Sequence, residues 1–290
     1  MNTKYKGILL AGGSGSRLYP LTSSISKQLL PIYNKPMIYY SLSVLMLAGI
    51  QDILIISTPK DTPKLQDHFG SGKHLGLNLH YKVQEKPKGI AEAFIIGADF
   101  IDNHPVALML GDNLFYGHHF TSILKEATER TDRATLFAYP VKDPERFGVV
   151  TFNEKQLATS IQEKPQHPKS NYAVTGLYFY DANVVSITRS LSPSDRGELE
   201  ITDVNKVYLE QQKCHVTILG RGFTWIDTGT YESLYIASEF VRNVENRQNY
   251  KVACLEEIAY NNKWISKNDL LNTIETIPNK YADYIREIIH

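Results

Sequence analysis

The sequence predicts an α/β fold: a mostly parallel central sheet covered by helices, a smaller β-rich part, and a helical C-terminal extension. Three observations predict it. Short apolar runs such as Asp52–Ser57 and Val106–Leu110 alternate with helix-length segments through the first half, the pattern of a parallel sheet wrapped by helices. From Ala134 the runs are short, rich in Val, Thr, Tyr and Phe, and separated by turn residues. After Val241 helical spacing takes over.

Taken in order, Lys6–Leu10 is the first expected strand, buried and ending in glycines. Pro36 to Ala48 reads as a helix, with proline in its first turn and Gly49 placed to end it. Asp52–Ser57 is the second strand, closed by Thr-Pro, and Gly89–Ile101 has helical spacing. Val106–Leu110 is a third buried strand that runs directly into Gly111-Asp112-Asn113. Further strands are expected at Ala134–Val141, Gly148–Phe152, Leu157–Gln162 and Ala173–Tyr180, then helices at Asn183–Ser190 and Thr202–Gln211. Val216–Leu219 is another strand, and Trp225-Ile-Asp-Thr-Gly229 leads into a long helix from Tyr231. Tyr281, Tyr284, Ile285 and Ile288 make one apolar stripe near the C-terminus.

Composition narrows the function. Lys plus Arg number 31 and Asp plus Glu number 31, so the chain lacks the basic bias of a nucleic-acid binder. An anionic ligand must therefore be held by a few locally placed cations. The two cysteines, Cys214 and Cys254, belong to no CxxC or Cys/His cluster, which disfavours a disulfide framework or a zinc site and suits reduced thiols. The first residues, Met1 to Lys6, carry no signal-peptide pattern. The longest apolar tract, Met37 to Ile50, falls below the roughly 18 residues of a membrane span. The expectation is a cytoplasmic protein with neither nucleic acid nor membrane as partner.

Four groups of residues carry the chemistry. Gly12, Gly13 and Gly15 follow a buried strand, where an open α/β sheet places its ligand crevice. Successive N–H groups there can form an anion-binding nest. The spacing is neither GxGxxG nor GxxxxGK[ST], but Arg17 follows at once and Lys27 ten residues on. Asp112 stands just beyond an apolar strand, and Asp227 stands in Trp-Ile-Asp-Thr-Gly. Asp-Thr-Gly is also the aspartic-protease triplet, yet one copy in an alternating α/β chain weighs against that reading. Two separated aspartates at a phosphate crevice suggest Mg²⁺, which takes one or two carboxylates plus phosphate oxygens and waters. Histidines show no metal-ligand spacing; His118 and His119 would point to opposite sides if extended.

The fourth group is an internal echo. Val83-Gln-Glu-Lys-Pro87 recurs as Ile161-Gln-Glu-Lys-Pro165. It is either a recurring surface turn or the mark of two sub-sites. In the second case Gln84 serves a base, Lys164 a sugar phosphate and Glu163 a sugar hydroxyl.

These residues resemble one family closely. Leu10 to Leu18 with its glycines, Lys27-Gln-Leu-Leu-Pro-Ile-Tyr-Asn-Lys-Pro-Met37, Gly111-Asp-Asn-Leu-Phe-Tyr-Gly117, Glu163-Lys-Pro, Asn171-Tyr-Ala-Val-Thr-Gly176, Gly197-Glu-Leu-Glu-Ile-Thr-Asp203 and Trp225-Ile-Asp-Thr-Gly229 look like the glucose-1-phosphate thymidylyltransferases of the sugar nucleotidyltransferase family. The motifs run in order through nearly the whole chain. The resemblance implies a Rossmann-like nucleotidyltransferase fold and a homotetramer. It implies the Mg²⁺-dependent reaction of dTTP with α-D-glucose 1-phosphate to give dTDP-glucose and pyrophosphate, an early step towards deoxysugars such as rhamnose. Carried over, Gly12, Gly13, Gly15, Ser16 and Arg17 hold the triphosphate, while Gln28, Gln84 and Gly89 meet the thymidine. Asp112 and Asp227 bind the metal, and Arg17, Lys27 and Asp112 are the catalytic set. Gly148, Glu163, Lys164, Val174, Arg196 and Trp225 lie along glucose 1-phosphate. The expected division is a core over 1–240, with a nucleotide half to about 133 and a sugar-phosphate half over 134–240, followed by a helical extension over 241–290.

Some positions depart from the family pattern. Ser16 replaces a usual Thr, Ser41 a usual Pro, Lys88 a common Asp and Phe147 a usual Tyr, which removes a hydroxyl. Family members often carry an end-product site at a subunit interface; the matching residues here are Gly117, Arg221, Val252, Glu257 and Asn261. The nearest rival is a UTP-dependent uridylyltransferase or dual dTTP/UTP use, since one methyl is discriminated by only about 1–3 kcal/mol. A non-catalytic sugar-nucleotide sensor would be expected to have lost a charged site residue, whereas Arg17, Lys27, Asp112, Lys164 and Asp227 are all present.

Overall fold

The computed structural model of the chain describes residues 5–13, 15–275 and 280–289. Ser14 of the glycine loop and the first four residues, to which the leader expectation applied, lie outside the described residues. The first half runs β1 (Lys6–Ala11), a small pair β2 (Pro31–Ile32) and β3 (Lys35–Pro36), α1 (Met37–Leu47), β4 (Asp52–Ser57), α2 (Thr62–Phe69), β5 (Asn78–Val83), α3 (Glu92–Ile96), α4 (Ala98–Ile101) and β6 (Val106–Leu110). Then come β7 (Asn113–Gly117), α5 (Phe120–Glu129), β8 (Ala134–Pro140), β9 (Gly148–Phe152), β10 (Ala158–Glu163) and β11 (Tyr172–Tyr180). The chain continues with α6 (Val184–Ser190), α7 (Ile201–Glu210), β12 (Cys214–Ile218), β13 (Phe223–Asp227), α8 (Tyr231–Gln248), α9 (Leu255–Asn261), α10 (Lys267–Ile274) and α11 (Lys280–Ile288).

The main sheet has the order β10-β9-β11-β6-β1-β4-β5, with β8 and β12 on the other edge of β11. Strands β6, β1, β4 and β5 are all parallel. Ile8, Ile53, Leu54, Ile55, Ile56, Val106, Leu108 and Met109 are at most 1% exposed, because helices cover both faces and each strand must be apolar throughout. Alternate residues feed opposite layers. Leu9, Ile53, Ile55 and Met109 join one cluster, while Ile8, Leu54, Ile56 and Leu108 join the other, the period-two rule of a pleated strand.

Strand β11 sets the position of the crevice. Its beginning pairs with β9 at Tyr172 and Ala173, and its end pairs with β6 from Leu177 to Tyr180. The pairings with β9 and β6 leave Val174, Thr175 and Gly176 between them. The parallel and antiparallel halves diverge there.

The expected strands at 52–57, 106–110 and 148–152 match the observed ones residue for residue. The segment 89–101 is helical but divides at Gly97 into α3 and α4. The sequence reading did not single out α2, α5 or β7. His118 and His119 are not extended: His119 has φ 58° at the start of α5, and the two rings lie 3.8 Å apart. Helix α8 continues unbroken through residue 240, so the expected division falls within it.

One buried ionic cluster ties α8 to the front of the chain. Glu245, 1% exposed at its side chain, accepts from Lys35 Nζ at 2.9 Å, Asn34 Nδ2 at 2.7 Å, Lys251 Nζ at 3.0 Å and Val252 N–H at 3.1 Å. No helix among the described residues is long and apolar enough to cross a membrane.

Candidate active site

A cleft of 630 Å³ opens where β1 and β6 end and where β9 and β6 part along β11. Gly12, Gly13, Arg17, Gln28, Gln84 and Gly89, the residues expected to meet the nucleotide, line it. So do Gly148, Glu163, Lys164, Val174 and Arg196, expected along the sugar phosphate, with Asp112, Asn113, Trp225 and Asp227 also on the lining. Three expected residues are absent from the lining. Gly15 has φ 61° and starts the short turn Ser16–Leu18, where Ser16 is exposed. Lys27 acts on the cleft through Asp112.

The two aspartates are joined through a ribbon. Strands β7 and β13 pair antiparallel, with Asn113 opposite Asp227. Thr228 completes the closure, since its N–H and its hydroxyl both donate to the Asp112 carbonyl, at 2.9 and 2.7 Å. The Lys27 ammonium contacts Asp112 Oδ2 directly, and Asn113 Nδ2 donates to Oδ1 at 2.9 Å. Burial pushes the Asp112 carboxyl up, but the Lys27 charge and the hydrogen bonds from Lys27 and Asn113 outweigh it, so the group lies below its usual range. Asp227 goes the other way. Burial and the nearby Asp112 charge raise it, against the opposing pull of Lys27, Arg17 and Arg146. Arg17 reaches the same strand end, because a side chain at Gly229 would meet its guanidinium at 2.8 Å.

Asn113 organises the floor, a role that sequence reasoning missed. It is 3% exposed, and its Oδ1 accepts from Trp225 Nε1 at 2.7 Å and from Gly176 N–H at 3.2 Å. The amide thus reaches β11 in the stretch between its pairings with β9 and β6. Ser41, where the family usually has proline, donates to the Asn113 carbonyl at 3.0 Å and anchors β7 on α1.

Glu163 Oε2 accepts from Thr202 Oγ1 at 2.6 Å, while Oε1 lies 3.4 Å from Lys164 Nζ and 3.5 Å from Arg196. Arg196 is further held by Glu200 at 2.8 Å and Glu198 at 3.7 Å. Phe147, without the hydroxyl of a tyrosine, packs its ring 5.2 Å from Trp225. Arg146 beside it lines the cleft and was also missed from sequence.

Next to the glycine loop, Gln28 Nε2 donates to the Gly12 carbonyl at 3.0 Å, and Gln84 Nε2 donates to Glu92 at 2.8 Å. Gly89, at φ 101°, admits no side chain, since a Cβ would stand 2.3 Å from the Leu199 carbonyl. Lys88 donates no side chain to the lining; its carbonyl accepts from Leu199 N–H at 2.7 Å. The repeated Gln-Glu-Lys-Pro segments enter the cleft differently. In the first, β5 ends at Val83 and Gln84 turns inward; in the second, β10 runs two positions further and Glu163 and Lys164 face the cleft.

A second cleft of 730 Å³ lies between β7, the start of α5 and α9. Gly117, Val252, Glu257 and Asn261 line it, whereas Arg221 does not; its neighbour Gly222 does.

Among the described residues no three His, Cys, Asp or Glu side chains converge as a metal cluster. Asp112 and Asp227 therefore offer two hard oxygen donors, and Asp227 carries a charge that its surroundings disfavour. That donor set fits Mg²⁺, which draws its remaining ligands from phosphates and water, and it does not fit zinc.

The chain matches the nucleotidyl transferase family over residues 6–244. It is 57% identical to a glucose-1-phosphate thymidylyltransferase of Neisseria meningitidis over 285 residues, 98% of this chain and 99% of the relative. A Bacillus anthracis protein assigned as a glucose-1-phosphate thymidylyltransferase, solved with sucrose, superposes with a TM-score of 0.77 at 41% identity, covering 82% of this chain and 96% of that one. A UDP-glucose pyrophosphorylase complexed with UDP-glucose gives 0.71 at 25% identity, over 83% and 99% of the two chains. The fold, the placement of the glycine loop and this likeness agree: the chain belongs to the nucleotidyl transferase family, alongside the glucose-1-phosphate thymidylyltransferases.

Proposed function

We propose that the chain transfers a thymidylyl group from dTTP to α-D-glucose 1-phosphate, releasing pyrophosphate and forming dTDP-glucose. The observation that carries this reading is that one cleft is lined both by Asp112, Asp227 and Arg17 and by Lys164, Arg196 and Glu163. Both reactants are anionic, and like charges about 4 Å apart cost roughly 4 kcal/mol at an effective dielectric near 20. Arg17 and Lys27 offset this at the triphosphate, and Lys164 and Arg196 at the acceptor phosphate. Mg²⁺ held by Asp112 and Asp227 would supply further neutralisation of phosphate oxygens. Gly12 and Gly13 allow close backbone approach, while Gln28 and Gln84 take the base. The acceptor phosphate is already ionised, so no strong general base is needed, and catalysis rests on positioning and charge stabilisation.

In this reading residues up to about 133 form the nucleotide half, 134–240 the sugar-phosphate half, and 241–290 an extension against the core. The protein works as a cytoplasmic homotetramer, and the second cleft takes a regulatory end product. Pyrophosphate release across a matrix of dTTP, UTP and other triphosphates with several sugar 1-phosphates, with and without Mg²⁺, tests the reading. Greatest turnover is expected for dTTP with glucose 1-phosphate and Mg²⁺. Greater turnover with another pair would overturn it. Initial rates with added dTDP-rhamnose test the regulatory assignment, unchanged rates being the negative result.

A further inference from the structure

Arg146 stands outside the set of cations assigned so far. It ends the short turn Pro144–Arg146, immediately before the strand that carries Gly148, and it lines the main cleft. Strand pairing fixes its neighbourhood: Gly148 faces Glu163, and the Lys164 N–H donates to the Phe147 carbonyl at 3.0 Å. Arg146 thus stands next to the strand end that presents Lys164. Its guanidinium lies 5.3 Å from the Phe147 ring centre, and that ring rests against Trp225.

Three of the other cations are tied to carboxylates that line the cleft. Lys27 rests on Asp112, and Lys164 and Arg196 share Glu163. Arg146 differs, because its partner is Asp143, which does not line the cleft. That pair is 2.5 Å long but 45% and 42% exposed at the two side chains. A pair so exposed adds little to stability and exchanges readily with water. A guanidinium on the wall of a site that must receive two phosphorylated molecules is therefore held by a weak clasp, with a planar fork suited to phosphate oxygens.

We propose that Arg146 is a further substrate-binding residue of this cleft, which leaves Asp143 and closes on phosphate oxygens when the reactants bind. The inference rests on the transferase reading above. The oxygens belong either to the triphosphate or to the sugar phosphate, and the kinetics separate the two sources.

The test compares R146Q, R146K and D143N with the unaltered full chain by steady-state pyrophosphate release, varying dTTP and glucose 1-phosphate in turn. Removal of a charge-assisted hydrogen bond should cost R146Q about tenfold to hundredfold in kcat/KM, with R146K recovering part of the loss. The loss appears in the KM for dTTP if the triphosphate is the partner, and in the KM for glucose 1-phosphate if the acceptor is. D143N releases the arginine, so its kcat/KM should stay level or rise. If R146Q remains within roughly twofold on both substrates, or if D143N falls by the same factor as R146Q, the proposal is overturned. Titration calorimetry with pyrophosphate gives a readout independent of turnover. Should the unaltered protein release no pyrophosphate, the transferase reading fails by itself, and equal pyrophosphate affinity of R146Q and the unaltered protein would then end this proposal too.

Discussion

Lys27 and Asp112, 85 positions apart in sequence, meet with the lysine ammonium on Oδ2 of the aspartate, which lines the cleft. The lysine is 9% exposed at its side chain and the aspartate 23%, so the contact is only partly screened by water. The ammonium keeps the carboxylate ionised against burial, and in the proposed reading it also offsets charge on the triphosphate.

Replacing Lys27 by methionine should therefore move two observables. Turnover is expected to fall by about 10²–10³, the scale for losing one preorganised charge stabiliser. Burial would then act on Asp112 without its main opponent, so its carboxyl rises and the acidic limb of the pH–rate profile moves to higher pH. A profile with an unmoved acidic limb would show that Lys27 does not govern Asp112.

Asp227 should trade stability for function. Its carboxyl lies above the ordinary range in the folded protein, so the native state binds its proton more tightly than the unfolded chain does. As pH rises from the unfolded value through the folded one, stability declines, so above that range the group is a net cost to the fold. Asp227→Asn is expected to raise Tm by about 2 °C or more while lowering turnover at least 10²-fold. Added Mg²⁺ should raise the Tm of the unaltered protein but not that of the variant. A lower Tm for D227N would contradict the assigned strain.

Lys164 and Arg17 should separate binding from chemistry. Lys164 is 48% exposed on the cleft lining, and in the proposed reading Lys164→Ala is expected to raise the KM for glucose 1-phosphate about tenfold. Arg17→Ala and Asp112→Asn should instead depress turnover far more than they weaken sugar-phosphate binding. Steady-state kinetics on all three variants checks the division, and an unaltered KM in K164A counts against it.

Glu245 makes a prediction about stability alone. Its side chain is almost fully enclosed and accepts from two lysines, an asparagine and a backbone N–H. Glu245→Ala leaves Lys35 buried without its counter-charge and should cost about 3–5 kcal/mol in urea unfolding. Burial alone would raise this carboxyl, but Lys35 and Lys251 hold it below its usual range. Its contribution is then complete above the unfolded value of 4.5 and disappears as pH falls through the folded one. A variant that loses less than about 1 kcal/mol would show the cluster to be incidental.

Much of this could be read before the fold was known, for a physical reason. A parallel strand covered on both faces must be continuously apolar, so Asp52–Ser57 and Val106–Leu110 announce themselves, and the glycine loop, Arg17 and Asp112 follow from where those strands end. Asn113 and Thr202 escaped notice because their roles arise from partners far away in sequence, Trp225 and Gly176 for Asn113 and Glu163 for Thr202, whereas Arg146, paired locally with Asp143, is marked only by its place on the cleft lining. Strand β7 was hidden behind the Gly-Asp turn that precedes it, although Leu114-Phe-Tyr116 and Phe223-Thr-Trp225 both have strand composition. The identical Gln-Glu-Lys-Pro segments gave no hint that their strands stop two residues apart.

The clasp of Thr228 on the Asp112 carbonyl spans 116 positions. Closing so long a loop is slow, and it cannot begin until the second partner has been synthesised. A nascent chain that already displays the whole glycine loop, Lys27 and Asp112 still lacks its second carboxylate. If the proposed metal site is right, a truncated product ending before β13 is expected to be inert, because Asp227 and Thr228 are both missing from it.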